Sequence, residues 1–431
     1  MKSTHSFAIT DYIEFKQKML NWAKQFNIFC LLDNQQYKSF TPSGDGGSFE
    51  SLLAVGSKAS IEVNAGSAFT QLKEFSNKHK GWLFGHLGYD LKNETEQLSS
   101  ANFDGIGFSD LHFFIPEIVL QLTKDQLTIF CDADATIIFE QIQSCSSQIK
   151  PSAKISSVIE NRISKEEYFT RIKEIQKRIL RGDCYELNFC QEFYIQPATI
   201  DPVSVYHQLT ELSPNPFAAL YKLNDKYCLC ASPERYLKKT GDTVISQPIK
   251  GTAKRDLADK LMDEERKTSL FNSNKERSEN VMVVDLVRND LSKICKEGTV
   301  KVDELFGIYS FPQVHQMIST VSGRLQNDIH WVDAIKATFP MGSMTGAPKK
   351  RVMELIEQYE ETRRGVFSGS IGYVNPDGDF DFNVVIRSIL YSSSTQYLSF
   401  QTGGAITFYS DAEQEYEETL LKAEAIKAVL R

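Results

Sequence analysis

The 431-residue sequence predicts an α+β fold in which large antiparallel β-sheets are covered by helices. Strand-like and helix-like segments are interspersed without the regular alternation of a doubly wound parallel sheet. Three strand-like runs also follow one another directly, in "FAALYKL", "YCLCASPERYL" and "TVISQPI". Because 41% of the residues are hydrophobic and 24% are charged, the chain has enough apolar side chains to bury a large core.

A polar stretch, "SCSSQIKPSAKISSVIENR" at 144–162, has no apolar periodicity. It predicts a boundary between an N-terminal region, 1–150, and a C-terminal domain, 160–431. Before this boundary, "QLTIFC" and "IIFEQI" predict short strands, and "PSGDGGS" at 42–48 predicts a turn.

The elements after the boundary begin with a helix at Ser164. A capping box joins Ser164 to Glu167, and apolar residues then recur at helical spacing as far as Gly182. Further helices are predicted over about 258–294 and 412–430. Strands are predicted in "VHQMISTVSGRL", "GSIGYV", "FDFNVVIRSILY" and "YLSFQTGGAITF".

Charge and composition exclude several classes of function. A net charge of -8 argues against a broad basic surface for nucleic acid or anionic lipid, but it permits a small anionic substrate. The eight cysteines include no Cys-x-x-Cys pair of the kind that binds zinc. The N-terminus lacks an apolar signal-peptide core, and no run approaches the roughly 20 apolar residues that span a bilayer. We therefore expect a cytoplasmic protein without membrane contact.

Two predicted helices each carry a pair of glutamates three residues apart. Glu276 and Glu279 lie about 60° from each other on a helix, on the side that continues into an apolar stripe. Glu415 and Glu418 repeat this spacing in the last helix, with Lys422 on the same face. Carboxylates without a nearby His or Cys pattern suit a hard divalent cation, and magnesium is the predicted one. A solvated acidic face is the alternative interpretation of either pair.

Glycine-rich segments offer backbone groups to a ligand. "FPMGSMTGAPKKRVMELIEQ" at 339–358 is a glycine loop that leads into a helix, which suits an anion such as a carboxylate, or simply begins a helix. "QTGGAITF" at 401–408 has two glycines inside a strand, which indicates a bulge or a close ligand approach.

Four single residues admit both a functional and a structural interpretation. Arg387 can clamp a carboxylate or form a cross-strand salt bridge. His315 lies in the middle of a strand, where it is a catalyst or a hydrogen-bonded core histidine. Glu234 and Lys250 lie at the ends of successive strand-like runs, so that they share a cleft or form a surface salt bridge.

These motifs together resemble the chorismate-utilising enzymes. The segments that carry the resemblance occur in the family's order and are "SPERYL", "QPIKGTAKR", "KERSENVMVVDLVRNDL", "FPMGSMTGAPKK", "RRGVFSGSIGYV", "DFNVVIRS", "TGGAITFYSD" and "EYEETLLKAEAI". The match is dense from about 164 to 431 and thinner before that, where "FESLLAVG" and "WLFGHLGYD" are similar to the family's N-terminal region. The resemblance implies an anthranilate synthase component I-like sandwich, with the chorismate-binding catalytic domain in 160–431.

Within this family, a lysine at the position of Lys250 is typical of the aminodeoxychorismate-forming branch, which this sequence therefore resembles. The anthranilate-forming relatives have alanine in that turn. The resemblance implies that Lys250 attacks C2 of chorismate while the C4 hydroxyl leaves, and that ammonia then adds at C4. Glu234 matches the family's general acid. The expected product is 4-amino-4-deoxychorismate, for 4-aminobenzoate and folate synthesis, and anthranilate formation is the alternative.

The resemblance also assigns the remaining site residues. Glu279 and Glu418 match magnesium ligands, and Glu276 and Glu415 match the acids that hold the metal's waters. The expected cradle for the substrate carboxylates consists of Tyr373, Arg387, Lys422, Gly403 and Gly404, and the expected further active-site residues are Thr252, His315 and Thr345. No cysteine lies in a Gly-x-Cys-x-Gly setting, so a separate glutamine amidotransferase subunit, or free ammonium, is expected to supply ammonia.

Overall fold

A computed structural model describes residues 3–37, 49–150, 154, 155 and 157–431. The strands are β1 (Ser3–Ala8), β2 (Ile28–Asp33), β3 (Ser51–Val55), β4 (Ala59–Val63), β5 (Leu83–Leu87), β6 (Leu111–Ile115), β7 (Ile118–Leu122), β8 (Gln126–Cys131), β9 (Glu160–Asn161), β10 (Glu186–Ile195), β11 (Phe217–Leu223), β12 (Lys226–Ser232), β13 (Arg235–Thr240), β14 (Thr243–Gln247), β15 (Ile249–Lys254), β16 (Lys301–Ser310), β17 (Val314–Arg324), β18 (Gly346–Ala347), β19 (Ser370–Val374), β20 (Phe380–Asn383), β21 (Ser388–Ser392) and β22 (Tyr397–Ile406). The helices are α1 (Tyr12–Ala23), α2 (Ala68–Lys78), α3 (Lys92–Thr95), α4 (Ala135–Ser144), α5 (Lys165–Leu180), α6 (Pro202–Leu212), α7 (Lys260–Asn272), α8 (Asn274–Ser292), α9 (Trp331–Thr338), α10 (Lys349–Tyr359) and α11 (Ala412–Leu430).

The described strands form two antiparallel sheets, as the sequence predicts. The larger sheet runs β1-β8-β7-β3-β2-β11-β12-β21-β22-β10-β18, with β9 paired to β10. The smaller sheet runs β15-β17-β14-β13-β20-β19-β5-β6-β4, with β16 paired to β17. Strands from 1–150 and from 160–431 share both sheets, since β2 pairs with β11 and β5 pairs with β19. The division of the chain into two regions stays a prediction.

The main core lies between the two sheets. Leu52 and Ala54 of β3 pack in one hydrophobic cluster with Phe84 and Phe113 of the smaller sheet. The alternate residue Leu53 belongs to a second cluster, which is closed by helices α1, α4, α6 and α11 on the outer face of the larger sheet. Strand β3 is therefore buried on both faces, and the expected sandwich covered by helices is confirmed.

Helix α4 corrects one prediction. The run "IIFEQI" lies in this helix and not in a strand. Asp134 caps the N-terminus by accepting a hydrogen bond from the Thr136 amide, and Ile138 and Ile142 then face the core one turn apart. The short apolar run fits both periodicities, and the cap decides between them.

Two long predicted segments are each divided in the structure. The helical region at 258–294 is two helices, because Ser273 leaves the first helix and caps α8 by accepting from the Glu276 amide. The segment "FDFNVVIRSILY" ends as β20 at Asn383 and resumes as β21 at Ser388. Arg387 therefore lies in a loop, with a left-handed φ of 53°, and not in the predicted strand.

Two helix predictions are confirmed, and other predictions concern residues that the structure does not describe. The capping box of Ser164 and Glu167 opens α5, and the last helix is α11 as expected. The turn predicted at 42–48 lies outside the described residues, as do 151–153 and 156 of the boundary stretch. Among the helices of the described chain, none is both long and apolar enough to cross a bilayer.

Candidate active site

One cavity of about 900 Å³ collects most of the predicted site residues. Its walls come from strands β10, β15 and β22, from helices α8 and α11, and from the loop before β18. This volume is within the range of small-molecule sites. The predicted residues that line it are Glu234, Lys250, Thr252, Glu276, Glu279, Arg387, Gly403, Glu415, Glu418 and Lys422. Residues far apart in the sequence thus meet in one place.

Lys250 reaches the cavity from a β-bulge. The pairing of β15 with β17 shifts between Ile249 and Thr252, and Gly251 has a φ of 93° there. A Cβ at Gly251 would lie 3.0 Å from Glu276 Oε2, so glycine lets this backbone approach helix α8. The bulge turns Lys250 toward the cavity.

The partner of Lys250 is an acid that the sequence analysis did not single out. Lys250 Nζ donates to Glu186 Oε1 over 2.9 Å, and Glu186 is only 2% exposed. Burial lowers the pKa of Lys250, but the carboxylates of Glu186, Glu279 and Glu234 outweigh burial and hold that pKa above its usual value. The amine is therefore an ammonium in the protein without substrate.

Glu234 is held between β12 and β13 with its backbone fixed on both sides. Its amide donates to Ser232 Oγ over 3.2 Å, and its carbonyl accepts from the Val384 amide over 3.0 Å. Burial raises the pKa of Glu234 to about 7, although the neighbouring Ser343 hydroxyl and the Lys250 charge lower it. A carboxyl group in this state can donate a proton near neutral pH.

Helices α8 and α11 bring their glutamate pairs to the same side of the cavity. The capped start of α8 places Glu276 in its first turn and Glu279 one turn later. Burial raises the pKa of Glu279 to about 7, and it raises that of Glu276 as well. The Lys422 ammonium, 2.6 Å from Glu418 Oε1, keeps the pKa of Glu418 below its usual value.

The donor set of the two helices fits a hard divalent cation. The Oε1 atom of Glu279 is buried without a hydrogen-bond partner, which an added cation would satisfy. Gly404 lets β22 lie close to α11, since a Cβ there would be 3.1 Å from Glu415 Oε2. Over the described residues, however, no three His, Cys, Asp or Glu side chains are grouped at metal-binding spacing. The magnesium site stays a prediction.

An unpredicted lysine links the two acid pairs. Lys275 Nζ lies 3.3 Å from Glu415 Oε1 and 4.0 Å from Glu279 Oε1. Its ammonium therefore balances part of the negative charge that a divalent cation would balance. The side chain is half exposed, so that it can swing away without leaving a cavity.

The same wall also carries positive charge and polar backbone, since Lys422 lies on α11 one turn after Glu418. Lys422 Nζ donates to the Gly403 carbonyl over 2.8 Å. Burial lowers the pKa of the Arg387 guanidinium, which nevertheless stays charged at physiological pH. The Arg387 side chain forms no ion pair among the described residues, so the predicted cross-strand salt bridge is absent there. This wall suits the carboxylates of a small anion.

Four predicted residues do not line the cavity. His315 faces the other side of β17, where it bonds to Ser310 and to Asp263, and the Thr345 hydroxyl bonds to carbonyl groups of its own loop. Tyr373 packs against Trp82, Phe84 and Phe49 in the core. Gly404 acts through the close approach of β22 to α11. The structure thus places these four residues outside the cavity lining, and the roles predicted for them stay predictions.

Residues close in sequence to His315, Thr345 and Tyr373 line the cavity. Gln316, next to His315 on β17, points into it, and Ser343 lies there two residues before Thr345. Phe367 lines it six residues before Tyr373. Because side chains alternate across a strand, the adjacent residues His315 and Gln316 of β17 face opposite sides of the sheet. The signal for Glu186 was an acid inside the apolar run "CYELNFC".

Comparison with known proteins agrees with this geometry. The model of the family described as chorismate binding enzyme matches residues 30–428. An aminodeoxychorismate synthase component 1 from Salmonella typhimurium is 33% identical over 349 residues, which cover 80% of this chain and 76% of the relative. The Escherichia coli protein of the same name is also 33% identical, with the same coverage.

Solved structures share the fold. Anthranilate synthase component I from Streptococcus pneumoniae superposes with a TM-score of 0.78 at 26% identity, over 91% of this chain and 94% of the other. The menaquinone-specific isochorismate synthase of Escherichia coli has a TM-score of 0.76 at 16% identity, over 100% of this chain and 95% of the other, and supports the fold alone.

Proposed function

Because the chain belongs to the chorismate-binding enzyme family, we propose that it aminates chorismate at C4 and forms 4-amino-4-deoxychorismate. The observation that carries this proposal is Lys250. Its amine lines the cavity together with the buried acid Glu234. The anthranilate-forming relatives are expected to have alanine at the position of Lys250. The Salmonella typhimurium and Escherichia coli relatives, which each cover 80% of the chain, are named for aminodeoxychorismate synthesis. The product would enter 4-aminobenzoate and folate synthesis.

The two residues divide the chemistry of the first step. Lys250 attacks C2 of the ring as the neutral amine, and both ring double bonds shift by one position as the C4–oxygen bond breaks. Hydroxide is a poor leaving group, so Glu234 donates its proton to the departing oxygen and releases water. The buried carboxyl group with a pKa of about 7 is suited to hold that proton until it is needed.

The second step releases the lysine. Ammonia attacks C4, both ring double bonds shift back, and the C2–nitrogen bond breaks with its electrons returning to Lys250. The Arg387 guanidinium and the Lys422 ammonium hold the two carboxylates of the substrate during both steps. Thr252 lines the cavity two residues after Lys250 on β15, where it would contribute to the binding of the same ring.

Magnesium would be held by Glu279 and Glu418, with Glu276 and Glu415 around its waters. When bound, it would draw electron density toward the ring carboxylate. The buried oxygen of Glu279 that has no hydrogen-bond partner supports this assignment. Ammonia would come from a glutamine amidotransferase subunit, which the component 1 names of the relatives support.

The test is product identification by mass spectrometry after incubation with chorismate, magnesium and ammonium. Aminodeoxychorismate is expected from the wild-type chain. We expect Lys250→Ala to lose about 100-fold or more in its formation, because the nucleophile is gone. The matched control is Lys239→Ala, which removes an ion-paired lysine that does not line the cavity.

Two results would contradict the proposal. Anthranilate as the product would move the chain to the alternative reaction. Unchanged turnover of Lys250→Ala would remove the covalent role of the lysine. A melting curve of the variant separates loss of chemistry from loss of fold, since Glu186 is left buried without its partner.

A further inference from the structure

A carboxylate other than Glu234 is in direct contact with the reacting nitrogen. Glu186 projects from β10 and accepts from Lys250 Nζ over 2.9 Å through Oε1. Its other oxygen, Oε2, is buried and has no hydrogen-bond partner. Both side chains are at least 90% buried, so this ion pair is largely removed from water. Neither step of the proposed reaction involves Glu186.

The surroundings of Lys250 are strongly acidic. On β10 its neighbours are Glu186 and Cys190, and Glu234 lies in the turn between β12 and β13. Helix α8 adds Glu276 and Glu279, and helix α11 adds Glu418. These acids keep the lysine protonated, and an ammonium has no electron pair with which to attack carbon. The proton must therefore move before the first bond can form.

We propose that Glu186 accepts the Lys250 proton at the start of the reaction and returns it at the end. This inference rests on the proposed function, in which Lys250 is the nucleophile. Glu186 is the acid in hydrogen-bond contact with Nζ, whereas Glu234 must keep its own proton for the leaving hydroxyl. The transfer also replaces a buried ion pair by two neutral groups, and burial favours neutral groups.

The protons balance over the cycle. Lys250 passes one proton to Glu186, and the neutral amine then forms its bond to C2 while Glu234 protonates the C4 hydroxyl to water. Ammonia bonds to C4, and the C2–nitrogen bond breaks to release Lys250 as a neutral amine. Glu186 returns its proton to Lys250, and the new ammonium at C4 gives one proton to Glu234. The sum is chorismate plus ammonia to aminodeoxychorismate plus water.

The decisive variant is Glu186→Gln, which keeps the shape but cannot hold the proton. Its rate of aminodeoxychorismate formation is divided by the wild-type rate at each pH, with free ammonia held constant, so that groups common to both proteins cancel. We expect a ratio of about 1/100 or less at neutral pH. The ratio should then rise about tenfold per pH unit, because the variant must lose the lysine proton to solvent.

A second readout follows the lysine itself in the absence of substrate. Labelling of Lys250 by an amine-reactive reagent, located by peptide mass spectrometry, should begin at lower pH in Glu186→Gln than in the wild type. Glu186→Asp, which retains a carboxylate, should keep the wild-type pH dependence at a lower rate. Glu192→Gln is the matched control, because it removes another buried acid of β10 that does not line the cavity.

A ratio for Glu186→Gln that is independent of pH, or that exceeds one, would overturn the proton transfer. So would a Glu186→Asp profile that rises like that of Glu186→Gln. If the wild type makes no aminodeoxychorismate, the proposed function fails first. If the wild type makes it and the ratio is flat, only the role of Glu186 fails.

Discussion

The acids of the cavity differ in protonation because each has different neighbours. Burial brings the pKa of Glu234 and of Glu279 to about 7, whereas the Lys422 ammonium lowers that of Glu418. Glu234 can thus carry a proton at the pH where Glu418 carries a charge. A general acid needs the protonated state and a cation ligand needs the ionised state. Glu418 is therefore already suited to a cation, whereas Glu279 would have to lose its proton when a cation binds.

The pH dependence of turnover follows from Glu234. Its protonated form is the active one, so we expect turnover to fall about tenfold per pH unit above a pKa of about 7. Glu234→Gln should lose about 100- to 10,000-fold and should also lose this alkaline decline. The measurement is the rate of chorismate consumption between pH 6 and 9 at constant free ammonia.

An exposed acid provides the control for this profile. Glu211→Gln changes a residue of α6 outside the cavity and should leave the alkaline decline unchanged. An alkaline decline that persists in Glu234→Gln would assign it to another group, of which Glu279 is the first candidate.

Single residues were predicted well where a motif fixes them and poorly where strand orientation decides. Lys250 and Glu234 belong to motifs, and the structure places both in the cavity. His315 also belongs to a motif, but the pleat of β17 turns it away from the cavity, and Tyr373 lies on β19, none of whose residues line the cavity. The sequence alone does not give the register that decides this.

Helices α8 and α11 together line one side of the cavity, and each contributes one pair of glutamates to it. The spacing of three residues places each acid pair on one helix face, which the sequence predicted. What the sequence could not provide was the cap at Ser273, which ends α7 and fixes where α8 begins. It also gave no sign that Lys275 joins the two helices, because that contact spans 140 residues.

The lysine between the helices leads to a prediction about metal affinity. Lys275→Met removes a positive charge beside Glu415 and Glu279, so magnesium binding should tighten by about 2- to 5-fold. Glu418→Gln should weaken it at least by the roughly 10-fold that loss of an outer-sphere partner costs. Calorimetric titration with magnesium in the absence of substrate measures both.

Lys267→Met is the matched control for this titration, because its ion pair with Glu264 on α7 lies outside the cavity. Equal magnesium affinity in Lys275→Met and wild type would show that the ammonium does not oppose the cation. Equal affinity in Glu418→Gln would remove Glu418 from the site.

At the scale of the molecule, the cavity depends on distant segments that are held together beneath it. Arg364 is buried, and its guanidinium donates to the Asn188 carbonyl on β10 over 2.8 Å and to the Met344 carbonyl over 2.7 Å. It also pairs with Glu360 at the end of α10, which in turn accepts from the Cys190 amide. The strand patterns predict the sandwich. They do not predict this junction of Arg364 and Glu360 with β10, because its contacts join residues that are far apart in the sequence.

The junction predicts a large loss of stability when Arg364 alone is removed. Arg364→Met leaves Glu360 as a buried, unpaired charge, so the free energy of unfolding should fall by about 3–5 kcal/mol. Replacing Glu360 as well should restore only part of this loss, because the carbonyls of Asn188 and Met344 and the Cys190 amide still lack their partners. Urea titration measures both variants.

Arg324→Met is the control, since Arg324 is two-thirds exposed in its ion pair with Asp242 and should contribute at most about 1 kcal/mol. Asn188 and Met344 also line the cavity, so a folded Arg364→Met protein should turn over more slowly with an unchanged pH profile. A stability equal to that of Arg324→Met would show that the junction does not hold the cavity together. A shifted pH profile would instead place Arg364 in the electrostatics of Glu234.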